Sequence, residues 1–583
     1  MANIKHTVCT LAVFLSLAFS SHAQVENSFI HTIKEGETVY SISRIYNVTT
    51  DDILRLNPDA IGGIRQGDQL RIPQQKRTAT NKNRFHTIAA GETLYQLTKK
   101  YGVSADDICQ ANPGLTAQNF KVGMVISIPE KKSAAQSGNA TNPTYKPKFK
   151  DLHKVERKET IYKIALDYNV TIEDILKLNP EIKAPDYKLK KGEFIRIPYS
   201  RDELAKQDKK EKTPTNEELI SAKKEKAPQN MVHMGVILPL KSQHSESDKM
   251  IEFYRGVLMA VDSMKKNGLS VNVYTFDSGK SAGDIKDVLK NQTLANMDFI
   301  IGPLYTGQIN PLNEFCKKHG IKLIVPFSSA GEAVYNSPNY FAVTPPKSFQ
   351  QAEACELALK VFKKQNYIFV DSKESDEDGA SFTDALEKLL QQNGINSKTI
   401  AIDADEFAWL RVFTRFQTNI IVPNSSSVKL INKLVPILDK FSKEYPEYKV
   451  KLLGYPEWQT YTNKHLENFY RFDTYAYSAF YKNPLTKKSK EFNATYQHNF
   501  HKPTIPAYPC FGMLGFDLTY YFLKGFSSYG DGITSHLSQI KTSPYQHQFD
   551  FERISNWSGF INKEMQFIHY APSHTIELIR LNP

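Results

Sequence analysis

Cysteine is scarce in this chain, with five in 583 residues. Cys9 falls in an amino-terminal apolar run, and Cys109, Cys316, Cys355 and Cys510 are too few and too scattered to staple a disulfide scaffold. No pair has metal-ligand spacing, so they read as buried small hydrophobes, although an exported location permits one bridge. Long apolar runs are missing too. Beyond the amino terminus nothing approaches the roughly 18 consecutive apolar residues of a membrane span, so no transmembrane segment is expected. Catalytic signatures are equally thin: there is no His-Glu-x-x-His or His-x-His zinc motif. His498 and His501 lack a third ligand and read as surface residues. Gly279-Lys280-Ser281 follows a strand as a phosphate loop would, but the upstream glycine position holds Tyr274, and without that glycine the loop does not wrap a phosphate. The expectation is a non-enzymatic protein with no cofactor, no metal and no catalytic residue.

What is present starts with charge. The formal net charge is +12 and the pI near 9.0, a balance that often marks nucleic-acid binding. Here much of the lysine lies in polar linkers, and an exported chain meets anionic wall polymers and membrane surfaces, so no nucleic-acid partner is expected. Export itself is read from Lys5, the apolar run Val8 to Phe19 and the small-x-small site Ser21-His22-Ala23. Residues 1–23 are then a signal peptide and the mature chain starts at Gln24. Cys9 lacks the small-residue setting of a lipoprotein site, so the expected location is the periplasm or the cell wall.

Between residues 31 and 198 one pattern is written three times. The copies open at His31-Thr32-Ile33, His86-Thr87-Ile88 and His153-Lys154-Val155, and close at Ile72-Pro73, Ile128-Pro129 and Ile197-Pro198. Thr38 to Asn57, Thr93 to Asn112 and Thr160 to Asn179 are each 19 residues apart, each Asn being followed by Pro. Insertions fall only beyond that Asn, where Gly67, Gly123 and Gly192 follow at growing distance, as expected of folded units with one tolerant surface loop. The three Thr residues stand where a helix N-cap is wanted, with Gln96 completing a capping box. Thr49, Ser104 and Thr171, each with Asp three residues on, start a second helix that stops at the Asn-Pro. Strands at both ends make the order β-α-α-β, at residues 29–73, 85–129 and 151–198.

That order, with Gly-Glu-Thr, Asn-Pro and the terminal Ile-Pro, resembles the lysin motif (LysM). The resemblance implies binding of β-1,4-linked N-acetylglucosamine polymers, peptidoglycan in bacteria or chitin elsewhere, in a shallow groove between the first strand–helix loop and the loop after the second helix. Carried onto this chain, the groove residues are Gly36, Glu37, Thr38, Val39 and Asn57; Gly91, Glu92, Thr93, Leu94 and Asn112; and Glu159, Thr160, Ile161 and Asn179. Backbone groups there would pair with acetamides and apolar side chains would meet the sugar face. The alternative is that Thr and Asn-Pro only hold the fold. The third copy has Lys158 where the others have Gly, so it is expected to bind weakly or act as a spacer. Linked weak sites on a repeating polymer raise apparent affinity by on the order of 10²–10⁴.

Residues 74–84 and 130–150 are rich in Lys, Asn, Ser, Thr and Pro, so the modules are expected to be tethered, not fused. Residues 199–230 form a charged linker, either a solvated helix or disordered. From Met234 strands and amphipathic helices alternate in two series, which reads as two successive parallel sheets and hence two lobes. The β-rich end, Phe549 to Tyr570, closes the domain. With Ile301-Gly302-Pro303-Leu304 and Pro326-Phe327-Ser328-Ser329-Ala330 ending strands, residues 231–583 resemble a type 1 periplasmic binding protein, the two-lobed receptor fold for branched-chain amino acids. Ligands gather beyond the carboxyl ends of such strands, which puts Asp277, Tyr305, Thr306, Ser328 and Ser329 at the cleft of lobe one. From lobe two, Gly454-Tyr455-Pro456-Glu457-Trp458 resembles the family segment whose carboxylate holds an ammonium group. Tyr455 and Glu457 are the candidates there, with Glu457 as a solvated loop acid and aromatic filling of the cleft as the bland alternatives.

The fold class expected is therefore multidomain: small α+β modules followed by a two-lobed α/β domain with parallel sheets. The function expected is a peptidoglycan-binding envelope protein whose second half docks a protein partner or regulates wall assembly. A wall-tethered receptor for an amino acid-like small solute is the rival, and a wall hydrolase without a recognisable motif is a third reading.

Overall fold

The computed structural model describes residues 28–35, 37–74, 84–130, 151–156, 159–168, 170–179, 182, 187, 189, 192–198, 215–220, 231–241, 245–328, 332–372 and 377–580. The expected signal peptide, most of the linkers, Gly36, Lys158 and Ser329 lie outside them. The described residues fall into two compact units, one drawn from Met1–Gly91, Asp107–Pro129 and Lys223–Pro583, the other from Glu92–Asp106 and Glu130–Ala222.

Each repeat has the expected order. Strand β1 (Ser28–Thr32) pairs antiparallel with β2 (Gln69–Pro73), β3 (Arg84–Thr87) with β4 (Val125–Ile128), and β5 (Asp151–Lys154) with β6 (Phe194–Ile197). Two short helices lie between the strands of each pair: Val39–Tyr46 and Thr50–Leu56, Leu94–Tyr101 and Ala105–Ala111, Ile161–Asp167 and Ile172–Leu178. The caps are those the threonines predict. Thr38 Oγ1 accepts from Ser41 N at 3.0 Å and Ser41 Oγ accepts from Thr38 N at 2.9 Å, a capping box that the Glu/Gln rule overlooks in copy one. Thr93 and Gln96 form the box expected in copy two, and Thr49 and Thr171 cap the second helices. In the third module Val155, Ile164, Ile175, Ile195 and Ile197 make a core of their own.

The first module departs from the tethered picture. Its core runs without a break into that of the carboxyl-terminal domain. Trp557 lies 5.9 Å from the Tyr46 ring and 5.0 Å from the Phe85 ring, while Phe29 lies 4.8 Å from Tyr46. Lys34 Nζ donates to Ile554 O at 2.8 Å, and Arg44 pairs with Glu332. Aromatic rings that would be exposed on so small a module are buried against a partner surface instead.

The carboxyl-terminal domain has two seven-stranded sheets. Lobe one contains β7 (Met231–Leu238), β8 (Ser270–Asp277), β9 (Phe299–Ile301), β10 (Lys322–Val325) and β11 (Tyr340–Ala342), all parallel. Lobe two contains β12 (Asn366–Asp371), β13 (Ser397–Ala401), β14 (Asn419–Pro423), β15 (Val450–Gly454) and β16 (Thr474–Ser478), also parallel. The β-rich end is shared between lobes: β17 (Phe551–Arg553) and β18 (Phe560–Asn562) complete the first sheet, β19 (Gln566–Ala571) and β20 (Thr575–Arg580) the second. The chain thus passes between sheets after β11, after β16 and after β18. Helix Phe511–Tyr529 buries Leu514, Leu518, Phe522 and Phe526 in lobe one and crosses helix Ser245–Lys266 at glycine contacts. A Cβ on Gly256 would lie 1.9 Å from Gly512 O, and one on Gly515 2.1 Å from Phe253 O, so only glycine admits this approach.

Candidate functional site

The Asn of each Asn-Pro is spent inside its module. Asn57 Nδ2 donates to Ile53 O and Arg71 O, both at 2.7 Å, and its Oδ1 accepts from Arg71 N at 2.8 Å. Asn112 makes the same bonds to Ile108 and Ser127, and Asn179 to Ile175 and Arg196. Asn112 and Asn179 are buried. The side chain ties the end of the second helix to the second strand.

Other groove candidates also turn inward. Glu37 is buried, bonded to His31 and to Lys34 N, and Glu159 is bonded to His153 and Glu156 N. Those two hydrogen bonds, that from the Glu156 backbone first, hold the Glu159 carboxyl below its ordinary range. Thr38, Thr93 and Thr160 spend their hydroxyls as caps. Leu94 and Ile161 are buried core residues, and Val39 is half-buried. Leu94 N donates to Asn216 Oδ1, on the short helix Asn216–Ile220, at 2.9 Å. Gly91 is exposed at φ +79°, with Glu92 near it paired to Lys100. The aromatic surface lies one residue further on. Tyr40 and Tyr162 are 57% and 65% exposed, and Tyr95 takes the same place in copy two. The signal was legible: Tyr follows Val39, Leu94 and Ile161 in all copies.

In lobe one the cleft candidates stand at the carboxyl ends of strands. Asp277 ends β8, with Oδ1 accepting from Leu240 N at 2.8 Å and Lys241 N at 3.3 Å. Tyr305 precedes helix Thr306–His319, which Thr306 begins, and its hydroxyl donates to Glu246 at 2.9 Å. Ser328 is buried. Phe327 packs against Phe253 at 5.0 Å and Phe511 at 6.1 Å between ring centroids, so apolar rings lie directly beyond β10. In lobe two Tyr455 is a core residue, its hydroxyl donating to Pro423 O. Trp458 is buried as well, stacked on Phe469. Glu457 is exposed in the loop after β15.

An ionic node joins three bodies. Lys563, between β18 and β19, lies 3.0 Å from Glu552, 3.2 Å from Glu353 and 3.9 Å from Glu35 of the first module. Burial opposes its charge, but Glu552 and Glu353 prevail and raise its pKa. Beside it, a cavity of about 710 Å³ is lined by His31, Glu37, Gly67, Gly123, Arg553 and Trp557 among others. Cys316, Cys355 and Cys510 are buried free thiols, as expected, and burial pushes each thiol pKa up. Among the described residues no cluster is arranged to hold a metal, and no helix is long and apolar enough to cross a membrane.

Comparison with known proteins defines the class of the modules. The family model for the LysM domain matches residues 31–73, 86–129 and 153–198, so the chain carries three LysM repeats. An N-acetylmuramoyl-L-alanine amidase of Staphylococcus epidermidis is 31% identical over 174 residues, 28% of this chain and 50% of that protein. The Staphylococcus aureus amidase is 24% identical over 188 residues, 30% of this chain and 55% of that protein. The chain spans about half the length of these relatives, and the match lies in the LysM region. Among solved structures, a Desulfitobacterium hafniense ABC transporter substrate-binding protein in complex with Leu has 14% identity and a TM-score of 0.34, covering 60% of this chain and 100% of that one. A putative branched-chain amino acid ABC transporter from Rhodospirillum rubrum has 12% identity and a TM-score of 0.42 over the same shares.

Proposed function

We propose that this chain is a non-catalytic envelope protein, exported to the periplasm or cell wall. Its LysM modules hold peptidoglycan or another N-acetylglucosamine polymer, and its two-lobed domain docks a protein partner or regulates wall assembly. The observation that carries the first half is the threefold LysM match with its capped turns in register. With Glu37, Glu159 and the three Asn turned inward, the groove contact falls to those backbone groups of the strand–helix turns that the caps do not use, with exposed Tyr40 and Tyr162 and half-buried Tyr95 beside them. The docking role draws support from the first module, which packs against lobe one through Trp557, and from the Phe327, Phe253 and Phe511 rings beyond β10.

The exposed carboxylate of Glu457 favours a second reading, a wall-tethered receptor for an amino acid-like solute, with Asp277, Tyr305, Thr306, Ser328 and Ser329 completing the cleft. The test is cosedimentation of the full chain with purified sacculi at moderate salt, followed by melts with an amino acid and muropeptide panel. Pelleting that N-acetylglucosamine oligomers reverse supports the proposal. A clear upward shift with one small solute favours the receptor, and loss of sacculus turbidity would reveal a hydrolase.

A further inference from the structure

His31, His86 and His153 open the modules, and each is followed by Glu six residues on and Tyr fifteen residues on: Glu37 and Tyr46, Glu92 and Tyr101, Glu159 and Tyr168. In the first module His31 Nε2 lies 2.7 Å from Glu37 Oε2 and Nδ1 lies 2.7 Å from the Tyr46 hydroxyl. In the neutral ring, a proton on Nε2 donates to the Glu37 carboxylate and leaves Nδ1 to accept from the Tyr46 hydroxyl. Burial, then the charge of Glu37, raises the Tyr46 pKa and keeps that proton in place. The same Glu37 oxygen accepts from Lys34 N at 2.8 Å, and Glu37 N donates to Lys34 O at 3.2 Å. Glu37 therefore ties His31 and Lys34 together just before the first helix.

The third module repeats the arrangement on different neighbours. His153 lies 2.9 Å from Glu159 and 3.2 Å from Tyr168, and Glu159 accepts from Glu156 N at 2.8 Å. The side chains are 18% exposed for His153 and 8% for Glu159. Two independent copies of one geometry, and the same residue types at the same offsets in the second module, point to a device and not to local packing.

We propose that Glu37 and Glu159, each oriented by its His and Tyr, are positioning residues, and that Glu92, at the same offset in the second module, is their counterpart. They fix the turn before the first helix in the form that binds an N-acetylglucosamine-containing glycan through its backbone. The carboxylates do not touch the sugar. This rests on the glycan-binding reading above and assigns how that site is preset. A turn ordered during folding spares the glycan the entropic cost of ordering it, so affinity is gained without a new contact.

The test uses the full chain, with N-acetylglucosamine pentamer as the probe in calorimetry. The triple variant Glu37→Ala, Glu92→Ala, Glu159→Ala is expected to bind about tenfold more weakly or worse, because all linked sites are loosened together. The triple Gln variant is expected to recover most of the affinity, since its amide oxygen accepts the same two N–H groups. Tyr46→Phe with Tyr168→Phe keeps the packing and removes only the outer bond, so it weakens binding to a smaller extent and serves even if the Ala variant unfolds its modules. Unchanged affinity in the Ala or the Phe variant would overturn the inference. So would a Gln variant as weak as the Ala one, because the charge itself would then be meeting the glycan. If the unmodified chain fails to bind, the glycan-binding reading falls; if it binds and the variants match it, only the positioning role falls.

Discussion

Replacing Asn179 by Ala removes a clamp whose cost can be worked from its contacts. The side chain is fully buried. Its Nδ2 donates to Ile175 O at 2.7 Å and Arg196 O at 2.8 Å, and its Oδ1 accepts from Arg196 N at 2.8 Å. At about 1 kcal/mol net per hydrogen bond the loss is about 3 kcal/mol, and the partly buried Arg196 amide, left without its acceptor, adds at most about 1 kcal/mol. A folded unit of this size is stable by only about 2–7 kcal/mol, at roughly 0.05–0.15 kcal/mol per residue. Asn179→Ala is therefore expected to unfold most of the third module. Hydrogen exchange on the full chain reads it locally: protection in β5 and β6 collapses while β14 and β15 of lobe two keep theirs. Asn179→Asp is the sharper variant, since it keeps the acceptor for Arg196 N but turns a carboxylate toward two carbonyls, and it is expected to do no better than Ala. A destabilisation below about 1 kcal/mol for Ala, or an Asp variant as stable as the parent, would refute the clamp.

Trp557→Ala is expected to loosen the first module from lobe one, raising exchange in β1 and β2 while β12 to β16 stay protected. Gly256→Ala drives a methyl into the Gly512 carbonyl, so the two helices must separate and the melting temperature of the domain falls; an unchanged melt would contradict the close approach. Lys563→Met leaves Glu552 and the mostly buried Glu353 without their cation and is expected to cost about 1–3 kcal/mol in a denaturant titration, discounted for partial exposure. Burial lowers the His547 pKa from 6.5 to about 3. The unfolded chain binds that proton first, so the neutral form's contribution is present above about pH 6.5 and is lost as pH falls toward 3. The melting temperature should drop over that window, and His547→Phe should flatten the drop.

Features written in local chemistry were legible before any coordinates. The β-α-α-β order follows from Thr caps and the Asn-Pro stop, which need only residues a few positions apart. The strand–helix alternation of the second half likewise announced two parallel sheets. Long-range matters were not legible. Nothing near Trp557 in sequence indicates that Tyr46 and Phe85 will meet it, so the first module read as tethered. The β-rich end read as one closing segment, because the return of β17 and β18 to lobe one is a choice of topology and not of propensity. At the candidate site, Asn57, Asn112 and Asn179 carry the same residue type whether they clamp a strand or meet a sugar, and only their partners tell the two apart. Leu94 and Ile161 fit the helical period of a core as well as the edge of a groove. The repeated His, Glu and Tyr spacing was visible but has meaning only once the side chains are seen to touch.

The measurement that bears most directly on the account is calorimetric titration of the full chain with N-acetylglucosamine tetramer or pentamer at moderate salt. Saturable heat with more than one site per chain, little weakened by salt, is the result predicted. Absence of heat, or binding that vanishes with salt as a purely ionic attraction of a +12 chain would, would contradict it.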